Sequence, residues 1–312
     1  MKRLKAPHAE RLAAQLKHRN LEQALSRLRR IAALLHGKEK VDGLTAEDAA
    51  EFDCLICQGI VAELGLEKAH LEPMLRLAAW AGGADYDWPL EIFTVNYDLL
   101  LETALERMRV PYFDGFVGNL AARFHSELVE ATPADERWLP ASFVRLWKLH
   151  GSVNWAWGEE TGTSSVWRLG APVTDGEPAA IYPSDAKYDQ SRRVPFLVLH
   201  DRLRRALNQP ETLLIVSGYA FGDQDLNELL FEAARRRPRS EILAFCHSGL
   251  PSELADQAEI TPNLQALGAE EAILGGVRRP WRSPGSDTAD DVWHDGRFGM
   301  RDFGFLAKYL AR

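Results

Sequence analysis

The chain has 312 residues, 46% of them hydrophobic and 26% charged, with a formal net charge of -8. That length buries a sizeable core, in one large domain or in one domain with a smaller appendage. The negative charge argues against broad attraction to DNA, RNA or anionic lipid, and no apolar run approaches the ~20 residues needed to cross a bilayer. Three cysteines fit a reducing cytoplasm better than a disulfide framework. The basic start, Met1-Lys2-Arg3-Leu4-Lys5-Ala6-Pro7, lacks the apolar stretch of a secretory signal. A cytoplasmic location without membrane contact is therefore expected.

The first eighty or so residues read as helical. Leu21, Leu25, Leu28, Ile31 and Leu35 recur at steps of three and four, which places them on one helix face. Asn20 is positioned to cap that helix and Gly37 follows its end. Thr45 starts a second helix, with Asp48 three residues on as a variant capping box. That helix carries Phe52, Leu55, Ile56, Ile60 and Val61, and stops at Gly65. A third is expected from His70 to Trp80, before Gly82-Gly83.

Beyond residue 84 the texture changes to short, nearly continuous apolar runs alternating with helical segments. Candidate strands are Glu91–Tyr97, Val144–Leu149, Thr212–Tyr219 and Glu241–Cys246, with a fifth at Ala272–Leu274. Helices are expected at Leu99–Met108 and from about Gln224 to Arg236. This alternation predicts a Rossmann-like α/β fold, a parallel sheet with helices on both faces, whose ligands bind beyond the carboxyl ends of the strands. Residues 111–140 and 156–195 read as long insertions, 276–299 as a linker or loop, and Gly304–Leu310 as a last short helix. No internal repeat is visible.

Three strand ends carry unusual polar residues. In Thr94-Val95-Asn96-Tyr97-Asp98, Asn96 offers a donor and an acceptor for a ribose hydroxyl or a water, or serves only as a turn residue. Asp98 enters a helix, where an N-cap is the plainer role. In Lys148-Leu149-His150-Gly151-Ser152-Val153-Asn154-Trp155, His150 suits a general acid or base, because an imidazole of pKa about 6.5 exchanges a proton near neutrality. A structural histidine is the alternative. In the run from Ser217 to Asn227, Gly218 permits close backbone approach, and the following helix presents free N–H groups to an anion. An ordinary strand–turn–helix junction capped by Asp223 is the alternative there.

Taken together, in this order and spacing, the three segments resemble the sirtuin-like family, especially its prokaryotic anti-phage branch. The matching motifs have the form T-x-N-Y-D, L-H-G-S-x-x-W and G-Y-S-F-x-D-x-x-I-N. Thr94, Asn96, Tyr97 and Asp98 match the first; Leu149, His150, Gly151, Ser152 and Trp155 match the second. Gly218, Tyr219, Phe221, Asp223 and Asn227 match the third, with Ala220 and Leu226 as mild departures. Ile181-Tyr182-Pro183 and Lys187-Tyr188 also fit. The resemblance implies a helical N-terminal region over 1–84, a sirtuin-like NAD-binding domain over 85–275, and a loop with a short C-terminal helix over 276–312.

The resemblance further implies NAD cleavage at the nicotinamide–ribose bond. Asn96 would contact the nicotinamide ribose and position the attacking group, His150 would act as general base, and Asp98 would orient its neighbours. Thr94, Tyr97, Gly151, Ser152, Ser217, Gly218, Tyr219, Phe221, Asp223 and Asn227 would surround NAD. An effector that depletes NAD during phage infection is the implied biology, with restraint from a homo-oligomer and a companion defence protein such as an ATPase. Direct nucleic-acid contact is not expected.

Two departures bear on this reading. Sirtuin deacylases carry a zinc held by two Cys-x-x-Cys pairs, whereas this chain has one pair, Cys54 and Cys57, on or beside the apolar face of a helix. No metal is expected, and deacylation is disfavoured. The family also opens with a strand and a G-A-G-x-S loop that cradles the NAD phosphates. No such loop precedes residue 90. The chain then reads either as a truncated form of a longer protein or as a member without the loop, and the first strand of the family's sheet is expected to be absent. A catalytically silent assembly or nucleotide-sensing module is the alternative function.

Overall fold

The structure, a computed structural model, describes residues 21–37, 39–65, 69–131, 140, 142–160, 163–173, 178–180, 193–281, 292–294 and 297–312. Asn20, the Ile181-Tyr182-Pro183 and Lys187-Tyr188 runs, and most of the Pro/Gly/Asp-rich stretch lie outside these residues.

Helix α1 spans Leu21–Leu34 and α2 spans Ala46–Glu63. The three-and-four spacing does what it predicts: Leu25, Leu28 and Ile31 are buried against Phe52, Ile56 and Cys57 of α2. Thr45 closes a reciprocal capping box, its hydroxyl accepting from the Asp48 N–H at 3.1 Å while the Asp48 carboxylate accepts from the Thr45 N–H at 3.0 Å. Cys54, by contrast, is exposed, on the side of α2 turned away from this interface. Helix α3, Glu72–Gly83, begins later than expected because Pro73 occupies its first turn, where a missing N–H costs nothing.

The α/β region then follows in order. It comprises β1 (Glu91–Thr94), α4 (Leu100–Arg107), β2 (Tyr112–Phe113), β3 (Phe116–Val117), β4 (Ala122–Phe124), α5 (Ser126–Glu130) and β5 (Val144–Lys148). Next come β6 (Gly151–Glu160), β7 (Thr163–Arg168), β8 (Pro178–Ala180), α6 (Phe196–Leu207), β9 (Leu213–Ser217), α7 (Gln224–Arg236) and β10 (Glu241–Phe245). The chain ends with α8 (Ser252–Ile260), β11 (Leu264–Leu267), β12 (Glu271–Leu274), β13 (Val277–Pro280), the β14–β15 ribbon (Trp293–His294, Arg297–Phe298) and α9 (Phe303–Leu310).

The parallel strands fall into two sheets. One has the order β1-β5-β2, all parallel. The other has the order β13-β12-β11-β10-β9, parallel from β9 to β11 and antiparallel beyond. Both are sandwiched by helices. On one side, Phe93, Val95, Trp147 and Leu149 of the first sheet and Leu214, Val216, Ile242 and Ala244 of the second enter a single core with Phe196, Leu199 and Leu203 of α6 and Leu226, Leu230 and Phe231 of α7. On the other, Ile92 and Leu146 pack with α3 and α4, Ile215 and Leu243 pack with Leu306 of α9, and α9 lies on α3. The alternation of Ile92 with Phe93, and of Ile215 with Leu214 and Val216, is the two-residue period of strands covered on both faces. Among the described residues β1 and β9 are each paired on one edge only, although both feed the same core.

Segments expected as insertions instead build an antiparallel sheet, β3-β4-β7-β6-β8. Its inner side carries Val153 and Trp155, the latter 1% exposed. Burying a side chain of that size contributes roughly 2–3 kcal/mol. The expected linker after residue 276 likewise contains β13, β14 and β15. Among the described residues no helix is long and apolar enough to cross a membrane.

Candidate functional site at the strand ends

Strand β5 is buried along its whole length, and its register with β1 pairs Thr94 with Lys148. Asn96 and His150 therefore leave the sheet side by side, each two residues beyond that pair, with the Leu149 N–H still donating to the Thr94 carbonyl at 2.9 Å. Asn96 is exposed, and its N–H donates to Thr94 Oγ1 at 3.1 Å, which fixes the turn that presents its side chain. His150 is 7% exposed.

Gly151 makes the turn between β5 and β6. Its φ is +82°, and a Cβ there would lie 2.2 Å from the Ala179 carbonyl oxygen, so a side chain is excluded by both conformation and space. Beneath the turn, Lys148 Nζ meets Glu102 Oε1 and Ser152 Oγ at 2.8 Å each and also donates to the Asp98 carbonyl. The Ser152 hydroxyl in turn reaches the Tyr97 carbonyl at 3.2 Å. Ser152 and the Tyr97 backbone thus brace the site. Asp98 accepts from the Leu100 N–H at 2.9 Å, a two-residue Asx turn ahead of α4 and not the expected N-cap, a position that Leu99 holds without a side-chain bond.

The third segment leaves β9 at Ser217. Among the described residues Ser217 Oγ is buried with no hydrogen-bond partner, and Gly218, at φ +71°, has no atom within 4 Å of where a Cβ would stand. Phe221 holds φ +55°, uncommon for a bulky residue, and stacks on Phe231 with ring centroids 6.3 Å apart. Asn227, fully buried, accepts from the Tyr219 hydroxyl at 2.8 Å and donates to the Phe221 carbonyl and Glu253 Oε2 at 2.9 and 2.8 Å. Its amide is committed to holding the loop, and any effect on a ligand passes through that loop. Asp223 caps α7 by accepting from the Leu226 N–H at 3.3 Å, and its other oxygen lies 3.3 Å from His150 Nε2.

His200, on the buried face of α6, escaped the sequence reading. Its ring centroid is 6.2 Å from that of His150. Burial first, and then the neighbouring His150, lower its pKa from 6.5 to about 4, while Nε2 is buried without a partner among the described residues. The available signal was the spacing of Phe196, Leu199, Leu203 and Leu207, which puts His200 on the inward face.

A family model for the SIR2-like domain matches residues 90–266, more than half of the chain. The chain belongs to the SIR2-like family. The matched range contains all three strand-end segments. No curated protein matches the chain. SIR2-like domains use NAD, and the carboxyl ends of β1, β5 and β9 are where an α/β sheet receives such a ligand. Among the described residues no group of three or more His, Cys, Asp or Glu side chains is arranged to hold a metal ion.

Proposed function

We propose that this SIR2-like chain hydrolyses NAD at the nicotinamide–ribose bond and serves as an anti-phage effector that depletes NAD. The observation that supports this reading best is the meeting of the three segments: Asn96 and His150 at neighbouring strand ends, with Asp223 of the third segment 3.3 Å from His150.

The bond to be broken joins ribose C1′ to a cationic pyridinium nitrogen. Its electron pair leaves on neutral nicotinamide, a water oxygen bonds to C1′, and the water's proton passes to His150. Such a leaving group needs little acid assistance, so rate comes mainly from orienting the water and the ribose. Asn96 is suited to that task, with a donor and an acceptor in one amide. Asp98 contributes by fixing the start of α4. Ser217 and Gly218 give the adenosine half close access to the backbone, and Thr94, Tyr97, Gly151, Ser152, Tyr219, Phe221 and Asn227 shape the walls. An enzyme that consumes NAD needs restraint, which a homo-oligomer and a companion ATPase would supply, in the cytoplasm. A second reading is a catalytically silent assembly or nucleotide-sensing module.

Incubating the protein with NAD and following nicotinamide release decides between them. Release that disappears in both Asn96→Ala and His150→Ala supports hydrolysis. No release, with and without candidate activators, supports the silent module.

A further inference from the structure

His150 and Asp223 come from different sheets, one at the end of β5 and the other in the loop after β9. Their side chains are 9% and 15% exposed, so the contact is largely shielded from water. The carboxylate is not free to swing. Oδ1 is held by the Leu226 N–H at 3.3 Å, and the Asp223 carbonyl lies 3.0 Å from the Tyr219 hydroxyl. That leaves Oδ2 facing His150 Nε2. On its other side His150 faces His200, with the two ring centroids 6.2 Å apart. Asp225, in the first turn of α7, is the other carboxylate whose charge acts on His200.

A neutral imidazole carries one proton on one of two nitrogens, and the group facing each nitrogen selects which. A carboxylate only accepts hydrogen bonds, so it attracts an N–H and repels a lone pair. We infer that Asp223 is a positioning residue that holds neutral His150 as the Nε2–H tautomer, leaving Nδ1 as the atom that accepts the proton. Its place in the reaction rests on the hydrolase reading above; the tautomer does not. His200 is neutral near pH 7 and brings no competing charge, so Asp223 is the group that sets the bias. The assignment moves Asp223 from the list of NAD contacts to the support of the base.

Two substitutions separate this role from helix capping. Asn and Ser both cap helices well, so Asp223→Asn and Asp223→Ser keep the start of α7. Asn retains the shape without the charge, whereas Ser is too short to reach His150. The readout is a two-bond ¹H–¹⁵N correlation spectrum of the histidine rings in ligand-free protein at pH 8, with the His150 signals assigned from His150→Gln. The expected result is Nε2–H for His150 in the wild type, and a mixed or Nδ1–H population in D223S, with a smaller change in D223N. An Nδ1–H wild type, or a tautomer unchanged in both variants, overturns the inference. In the NAD assay, D223S is expected to lower kcat at least about 100-fold, the size of a general-base contribution, with KM changed less than about threefold. A raised KM with kcat unchanged places Asp223 on the substrate and overturns it too. If the wild type releases no nicotinamide, the hydrolase reading fails while the spectrum still decides the role of Asp223.

Discussion

Lys148 Nζ lies 2.8 Å from Glu102 Oε1, and the two side chains are only 2% and 12% exposed. This pair ties the last residue of β5 to the first turn of α4 directly beneath the site. Removing one partner of a buried pair strands the other charge, which costs on the order of 3–5 kcal/mol. Lys148→Met is therefore expected to lower unfolding free energy by about that amount in urea titrations. Lys148→Met combined with Glu102→Leu should recover much of the loss, because no charge is then left buried.

Gly151→Ala is the second expected lesion. The new methyl would meet the Ala179 carbonyl oxygen, a backbone atom that cannot turn aside, at a positive φ that L side chains avoid. A loss of at least about 2 kcal/mol is expected, read as a lower Tm, with nicotinamide release reduced because His150 is the adjacent residue.

Two buried groups give the fold opposite pH dependences. His200 has its pKa lowered from 6.5 to about 4, so between those values the unfolded chain binds a proton that the native state does not. Stability is lost as pH falls through that window. Asp114 has its pKa raised from 3.8 to about 6, chiefly by burial and against the pull of Arg168, so its native carboxyl keeps a proton the unfolded chain has released. That stability is present at low pH and lost as pH rises toward and past 6. Each shift is worth about 3 kcal/mol, and between pH 4 and 6 they oppose each other. Relative to wild type, His200→Asn should become more stable on going from pH 7.5 to 4, and Asp114→Asn less stable. Thermal melts at both pH values check the two signs.

Thiol labelling offers a simple check of packing. Burial raises Cys57 to about 12 and Cys246 to about 11, whereas Cys54 is exposed. Because the thiolate is the reactive form, iodoacetamide should modify Cys54 in the native protein and reach Cys57 and Cys246 only after unfolding. Equal labelling of all three by mass spectrometry contradicts the packing of α1 on α2.

The strands β1, β5, β9 and β10 are legible in the sequence because helices cover both faces, which writes itself as largely apolar runs such as Leu214-Ile215-Val216. The β6–β7 hairpin is not, because polar and small residues interrupt its apolar ones. Gly158, Ser164 and Ser165 dilute the signal of Val153 and Trp155, and the whole reads as an insertion. β11 is four residues long behind Pro262-Asn263, too short for its period to stand out. At the site, Asn96, Asp98, His150 and Asp223 are visible as motif residues, although Asp98 makes a turn where an N-cap is the plainer expectation. The approach of Asp223 to His150 depends on how two sheets are set against each other, which no local pattern encodes. His200 is hidden for a related reason, since an apolar helix face marks a position as buried without saying what lies opposite.

The division of the parallel strands has a mechanical side. Peptide ladders stiffen each sheet internally, but among the described residues no ladder joins β1 to β9. What spans the gap is a shared apolar layer, to which α6 contributes Phe196, Leu199 and Leu203. The imidazole and the carboxylate of the site are mounted on opposite sides of this division, like the two jaws of a caliper. A change of a few tenths of an ångström in their spacing breaks no backbone hydrogen bond in either sheet. Among the described residues, the distance between His150 and Asp223 is set by side-chain packing and by no peptide ladder.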